Sequence, residues 1–374
     1  MGSGDFEWRR SLLRRGVFQV HLWLGVALGL YVCVVSLTGA ALLFRIDLQR
    51  TAFPNLLVPA SPEVRAGPAD ILDALSIAYP TSRIVGLDAP TASRPVYLAY
   101  VSDARAFRTV LADPSNGRVL GELPDHSAIH TLQELHFNLL GGETGERING
   151  IGAACLLLLA LSGIVIWWQG KGRWARGFRV RWVRNPERRI WELHSAAGIW
   201  SVLLIALWAI TALSFSFPRQ FRAAVNAGSR VSEPAQLPAS NAASATRNAK
   251  RPALRELIAR AEMAMPGRYV ARIVLPSTTT EPVQVLFSAV RPTPVGTLDL
   301  APVYLDQYSG KQLIAAPRAE TAGDKIITWA GPLHVGSFGG WGVKLAFMCF
   351  GLAPSALFIT GFITWWRRVV TRSR

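Results

Sequence analysis

The chain has 374 residues, half of them hydrophobic, and a formal net charge of +16. That apolar share is too high for an ordinary soluble protein. The charge alone would suit nucleic acid, but it is gathered into three stretches flanking apolar runs, which excludes that reading and points to a membrane.

Residues 1–16 form a basic, Trp-bearing approach carrying Arg9, Arg10, Arg14 and Arg15, and the first apolar span follows at 17–44. Basic residues also precede a signal peptide. This run is too long for one, lacks a clear small-residue cleavage site and carries His21, so it reads as retained. His21, Gly25 and Gly29 share one helix face, either as a small-residue packing stripe or as room for a flat ligand. An outward excursion occupies 45–126, with a helix at 69–79 and strand-like runs at 82–87, 95–101 and 106–112. The turn Asp113-Pro114-Ser115-Asn116-Gly117 then leads into 118–120. Residues 127–169 hold an amphipathic interfacial helix at 127–140 and the second span, 148–168, and Gly141-Gly142 lets the backbone turn between them. A basic loop follows at 170–193 and a third span at 194–217. Residues 218–324 begin with a linker at 226–250, rich in Ala, Ser, Asn and Pro and without periodicity. They then repeat the earlier order: a helix at 253–265, strands at 269–275, 283–289 and 301–305, and the turn Asp306-Gln307-Tyr308-Ser309-Gly310. Residues 325–366 give an interfacial segment at 325–338 and a fourth span at 341–366, where Pro354 predicts a kink. A basic tail, 367–374, ends the chain. Cys33, Cys155 and Cys349 all fall inside spans, which leaves no disulfide for the excursions.

The positive-inside rule places both termini and the central loop in the cytoplasm and both excursions outside. The order also repeats residue by residue. A shift of 198 carries Leu135-His136 onto Leu333-His334, Gly141-Gly142 onto Gly339-Gly340, Gly163 onto Gly361 and Trp167-Trp168 onto Trp365-Trp366. A shift of 173 carries His21 onto His194, Gly25 onto Gly198, Thr38 onto Thr211 and Phe44 onto Phe217. His21 to His136 is 115 positions and His194 to His334 is 140, and the difference of 25 is the length of the linker. The reading is one unit of span, excursion and span, duplicated in tandem.

Four of the six histidines sit at these repeated positions. A lone histidine at the edge of a span is accounted for by a hydrogen bond to a neighbouring helix or headgroup, but four at duplicated positions point to ligation. Neutral imidazole is a good iron ligand, and two of them suit an electron-transfer haem, leaving no open position for oxygen. A pseudo-two-fold axis along the membrane normal would pair His21 with His194 at the cytoplasmic side and His136 with His334 at the outer side, one b-type haem at each. Arg147 and Lys344 lie near the outer pair, to meet propionates or to snorkel. His126 and His130 fall opposite Asp324 and Thr328, so they are not repeated and read as solvated or headgroup-facing. The Trp-Trp pairs read as interfacial anchors. No G-x-G-x-x-G after a strand, P-loop, C-x-x-C-H or H-E-x-x-H is present, so electrons must come from outside, from quinol or a cytoplasmic flavoprotein.

The helix and strands closing on an Asp-x-x-x-Gly turn, at Asp113 and again at Asp306, resemble the PepSY domain. The spans with Leu-His, Gly-Gly and Gly-Ile-Val-Ile-Trp-Trp resemble the PepSY-associated transmembrane family of bacterial inner-membrane proteins, over roughly residues 9 to 368. The resemblance implies an α-helical membrane protein with four transmembrane helices and two extracytoplasmic α+β PepSY-like domains. It also implies a haem-dependent ferric-siderophore reductase of the ferrioxamine reductase type, with two b-type haems and a ferric siderophore on the periplasmic side. Two other classes stand beside it. A membrane-tethered PepSY binding or regulatory module, of peptidase-inhibitor type, leaves the four histidines without a role. A metal transporter along a histidine-lined path predicts acidic residues within the spans, and the closest are Asp47 and Glu146 at their ends.

Overall fold

The computed structural model describes residues 3–104, 106–168, 178–180, 184–233, 237–241, 252–289, 300–313 and 320–372. Much of the expected basic loop and of the linker lies outside these. In chain order the described elements are helices α1 (Ser3–Leu42), α2 (Arg45–Ala52), α3 (Pro54–Leu57) and α4 (Pro68–Ala78), then strands β1 (Arg83–Asp88), β2 (Tyr97–Ser102), β3 (Phe107–Ala112) and β4 (Val119–Glu122). Helices α5 (Ala128–Asn138), α6 (Gly142–Trp167), α7 (Pro186–Ser216), α8 (Pro218–Gly228) and α9 (Leu254–Ala264) follow. The chain continues through β5 (Tyr269–Val274), β6 (Val283–Ser288), β7 (Leu300–Leu305) and β8 (Gln312–Leu313) to α10 (Ala322–Val335), α11 (Trp341–Gly351) and α12 (Ala353–Arg372). The chain divides into two compact units: Met1–Phe44, Ala128–Arg230 and Lys325–Arg374 form the first, Arg45–Ser127 and Val231–Asp324 the second.

In the first unit four segments are long and apolar enough to cross a membrane: Leu12–Leu42, Gly142–Trp167, Pro186–Ser216 and Trp341–Val370. Each of α1 and α7 packs against both α6 and α12. Three of the spans begin earlier than hydropathy alone suggests. The third does so because Asn185 caps it, its side chain accepting from the Glu187 and Arg188 N–H groups, with Pro186 at the first helical position. That extension puts Glu192 inside the helix, 4% exposed, so the expectation of no acidic residue within a span fails there. The predicted kink in the fourth span is a break between α11 and α12 at Leu352, two residues before Pro354. Ser36 Oγ of α1 donates to the Gly351 carbonyl left at the break, at 2.5 Å.

The two excursions do not fold as two domains. They share a single antiparallel sheet of order β4-β3-β2-β1-β5-β6-β7-β8, joined by β1–β5 pairing at Gly86↔Val274, Leu87↔Ile273 and Asp88↔Arg272. A four-stranded half would leave β1 or β5 as an open edge, and pairing them removes both edges. Gly86 suits the junction, since a Cβ there would lie 2.8 Å from the Ile273 carbonyl oxygen. Helices α4 and α9 cover one face, and Ile71, Leu72, Leu75, Leu257, Ile258 and Ala261 pack with the inward residues of both halves into one core. Arg255 of α9 bonds Asp70 and Asp73 of α4 at 2.8 and 2.7 Å, and such exposed pairs add little to that core.

The two Asp-x-x-x-Gly turns are structural clasps. Asp113 accepts from the Ala60 and Ser115 N–H groups at 2.8 Å each, and Asp306 from the Asn241 N–H at 2.6 Å and the Ser309 N–H at 2.7 Å. Each therefore ties the start of its excursion to its end. Asn241 is part of the expected linker, as are Asn226 and Gly228 at the end of α8, so that stretch is in part ordered. Gly117 and Gly310 take φ of +77° and +70°, which is why glycine closes both turns. Burial alone would raise both carboxyl pKa values, but the hydrogen bonds outweigh it and hold them below the usual value. Their stabilisation is therefore complete above the unfolded carboxylate pKa, about 3.9, and is lost as pH falls through the folded values. Asp113→Asn sets an amide N–H against a backbone donor. It should lower the unfolding free energy of the second unit by about 1–3 kcal/mol at neutral pH and weaken its acid dependence, both read by denaturant unfolding across pH.

Candidate functional site

The four repeated histidines meet as two pairs, both in the first unit. His21 of α1 and His194 of α7 have ring centroids 6.5 Å apart with planes at 89°, and His136 of α5 and His334 of α10 are 6.3 Å apart at 54°. His136 docks beside Thr38, 17 residues along α1 from His21, and His334 beside Thr211, 17 residues along α7 from His194. At about 1.5 Å per residue the pairs are separated by about 25 Å along the helices.

Each imidazole is held through Nδ1 by a hydroxyl on a neighbouring span. The contacts are His21 to Ser162 Oγ at 2.9 Å, His194 to Thr360 Oγ1 at 3.0 Å, His136 to Thr38 Oγ1 at 3.1 Å and His334 to Thr211 Oγ1 at 2.8 Å. A hydroxyl has one proton, and here each is directed at its own helix backbone. Ser162 donates to Leu159 O at 3.0 Å, Thr360 to Ala356 O at 2.8 Å, Thr38 to Val34 O at 2.7 Å and Thr211 to Leu207 O at 2.7 Å. What faces the imidazole is a lone pair, so Nδ1 must be the donor. The carbonyls of Val35 and Leu357, which can only accept, also face Nδ1 of His136 and His194 at 3.1 and 3.0 Å. In all four rings Nδ1 is thus the donor, and in the neutral ring this leaves the lone pair on Nε2, the form that ligates a metal. Burial holds the pKa of His136 and His334 below the ordinary histidine value, and for His334 the neighbouring His136 adds to this.

Glycines make the room. A Cβ on Gly163 would stand 3.4 Å from His21 Cε1, one on Gly361 3.2 Å from His194 Cε1, and one on Gly39 2.7 Å from His136 Cε1. A cavity of about 270 Å³ lies around the first pair, lined by both histidines with Gly25, Gly29, Gly163, Gly198 and Gly361 among others. Both readings of the α1 glycine face find a residue: Phe358 packs over Gly29, whereas Gly25 has only Leu159, at 3.8 Å, near where a Cβ would be.

The second pair is also fixed through the backbone, differently in each half. Asn149 Nδ2 donates to His136 O at 2.8 Å and to Phe137 O at 3.0 Å, and Tyr31 donates to Asn149 Oδ1 at 2.7 Å. Trp208 Nε1 donates to His334 O at 3.0 Å. The turn from α5 into α6 depends on left-handed Leu139, Leu140 and Gly142, with φ of 53°, 62° and 54°. Gly141, expected to help the turn, keeps a negative φ of −111°. Arg147 pairs with Glu143 at 3.5 Å on an exposed helix face, and Lys344 lies over the Trp341 ring at 5.7 Å. Among the described residues neither shares a contact with the imidazoles. His126 is exposed and His130 half-buried on α5, and neither joins a pair. Sequence reading missed Ser162, Thr360 and Asn149, and gave Thr38 and Thr211 no role. The signal was present: Ser162 and Thr360 each precede a repeated glycine, and Thr38 and Thr211 are themselves repeated.

Four candidate spans around paired imidazoles, with a separate antiparallel sheet unit, define a multi-pass membrane protein. Residues 18–368 match the family model of the PepSY-associated TM region, and the chain belongs to that family. No curated protein matches it in sequence. In isotope-labelled histidine NMR spectra of metal-free protein, His21, His136, His194 and His334 should show a protonated Nδ1 and a bare Nε2 at neutral pH. The opposite tautomer at any of them would overturn the hydroxyl assignment there.

Proposed function

We propose that this chain is a di-haem electron-transfer protein of the bacterial inner membrane, with His21 and His194 holding one b-type haem and His136 and His334 the other. The observation that carries this reading is the pair geometry. A first-row metal held between two imidazole nitrogens at about 2.0 Å from each would set the ring centroids about 6 Å apart. The separations here are 6.5 and 6.3 Å. The donor set agrees, because each pair offers two imidazoles, the ligands that a haem would take from the protein. Haem held by these imidazoles would supply a one-electron iron couple. Ser162, Thr360, Thr38 and Thr211 orient the ligand rings and keep their Nε2 atoms unprotonated. Glycines 25, 163, 198 and 361 leave space for a flat group beside the first pair.

In this reading the chain arose by tandem duplication, the basic clusters keep both termini cytoplasmic, and the sheet unit is extracytoplasmic. Electrons enter from quinol or a cytoplasmic flavoprotein and leave to a periplasmic ferric siderophore. Siderophores hold ferrous iron far less tightly than ferric iron, so one-electron reduction frees the metal. The recurrence of the same imidazole and hydroxyl positions in both halves supports the duplication.

Purified protein should show a low-spin b-type spectrum with two haems per chain. His21→Ala or His194→Ala should each remove one haem, and His136→Ala or His334→Ala the other, by haem quantitation. If His21→Ala and His334→Ala deplete the same haem, the pairing is wrong. Dithionite-reduced protein should be reoxidised by a ferric siderophore, with an iron(II) trap developing colour in step, and His334→Ala should abolish this while leaving one haem reducible. Reduced haem that persists with every ferric chelate but reacts with quinone would remove the iron assignment and keep the conduit.

A further inference from the structure

In the second unit three guanidinium groups gather near one carboxylate, and the charges do not balance. Arg94 stands in the loop between β1 and β2, closed by the Thr91 N–H bond to Arg94 O at 2.8 Å and the Arg94 N–H bond to Thr91 Oγ1 at 3.0 Å. The residue is 7% exposed, and its Nη2 donates to Ala89 O at 3.0 Å. Its Nη1 is buried and meets no acceptor, and Ser93 Oγ beside it in the chain is also buried without a partner. The nearby carboxylate is Asp88, but Arg272 already donates to both of its oxygens and the Tyr100 hydroxyl donates to one, at 3.1 Å. Arg45, half-buried at the start of α2, lies near Tyr100 and close enough to Arg94 for the two guanidinium charges to repel. Among the described residues neither Arg45 nor Arg94 has an ion-pair partner. Three cations and one carboxylate leave two positive charges uncompensated.

A guanidinium can bury itself only if its N–H groups find acceptors and its charge finds an opposite charge. Arg94 has one acceptor, and that acceptor is neutral. We propose that this cluster is a binding site for a phosphate-type oxyanion, held by Arg94 Nη1 and Arg45 and reachable by the Ser93 hydroxyl. The planar fork of arginine matches such a group, and two uncompensated charges suit a mono- or dianion. The group can come from free phosphate or from the phosphodiester of an anionic lipid. Arg45 follows Leu42, the last residue of the first candidate span, by three positions, so headgroup phosphates are within reach of the chain there. The inference stands apart from the redox reading, since it rests on no histidine.

The test uses the full chain in neutral detergent and phosphate-free buffer, with thermal unfolding followed against added inorganic phosphate. A second arm uses vesicles of phosphatidylcholine with and without phosphatidylglycerol. A saturable rise in midpoint in either arm is expected. Phosphate alone identifies a free ion, and phosphatidylglycerol alone identifies a headgroup. Arg45→Gln and Arg94→Lys should weaken half-saturation at least about tenfold, whereas Arg83→Gln, an exposed arginine on β1, should leave it unchanged. If Arg94→Lys fails to fold, Arg45→Gln carries the test, because α2 contributes no buried residue to the core. The proposal is overturned if neither probe stabilises the wild type, or if Arg45→Gln responds as Arg83→Gln does. It is also overturned if Arg45→Gln lowers haem content while leaving the anion response intact, since the arginines would then serve haem carboxylates.

Discussion

Each imidazole in the two pairs ends on a Ser or Thr oxygen whose own proton is committed to a helix carbonyl. In hydrocarbon a hydroxyl has few choices, and the carbonyl three or four residues back is the nearest acceptor. Once that bond forms, the oxygen presents only lone pairs sideways, and a neighbouring histidine must supply the hydrogen. The relay of carbonyl, hydroxyl and imidazole settles the tautomer, aims Nε2 away from its own anchor and determines how close the spans must come. The glycines under the rings follow from that closeness, because a side chain at Gly39, Gly163 or Gly361 would press on the imidazole it faces. The equal 17-residue separation on α1 and α7 follows too, since each span carries a histidine at one end and the anchor for another at the other.

A different constraint governs the second unit. A sheet of four short strands with a helix on one face has an unpaired edge wherever its first strand is not covered. Pairing β1 with β5 removes two edges at once and lets α4 and α9 close a single core over both halves. The Asp113 and Asp306 clasps then hold the entry of each excursion against its own hairpin turn. The sequence feature most visible in these regions thus serves the fold.

The halves match in their anchors and differ in their supports. Asn149 and Tyr31 hold the backbone at His136, Trp208 holds it at His334, and the turn after α5 uses left-handed leucines where the turn after α10 uses Gly336 at φ +65°. The ring planes differ as well, at 89° in one pair and 54° in the other. The hydroxyl that anchors each imidazole recurs, whereas Gly39 beside His136 has Ala212 at its repeated position and the groups one step further out differ.

Four spans, the helix–strand order of the excursions and the repeated histidines were legible in the chain, because apolar length, period and recurrence are linear properties. The Asn185-Pro186 start of α7 is equally linear, although the apolar run begins later than the helix does. The rest was decided by tertiary structure. Sequence cannot show that β1 and β5 share an edge, since strand pairing between segments about 186 residues apart leaves no local trace. Nor could it show that Ser162 serves His21 and Thr38 serves His136, since each contact joins different helices whose relative rotation only packing determines. The same holds for Arg94, whose type and position were plain in the chain but whose missing acceptor appears only once the loop around it is closed. Recurrence was enough to pick out the four histidines, and packing alone determined which hydroxyl meets the Nδ1 of each.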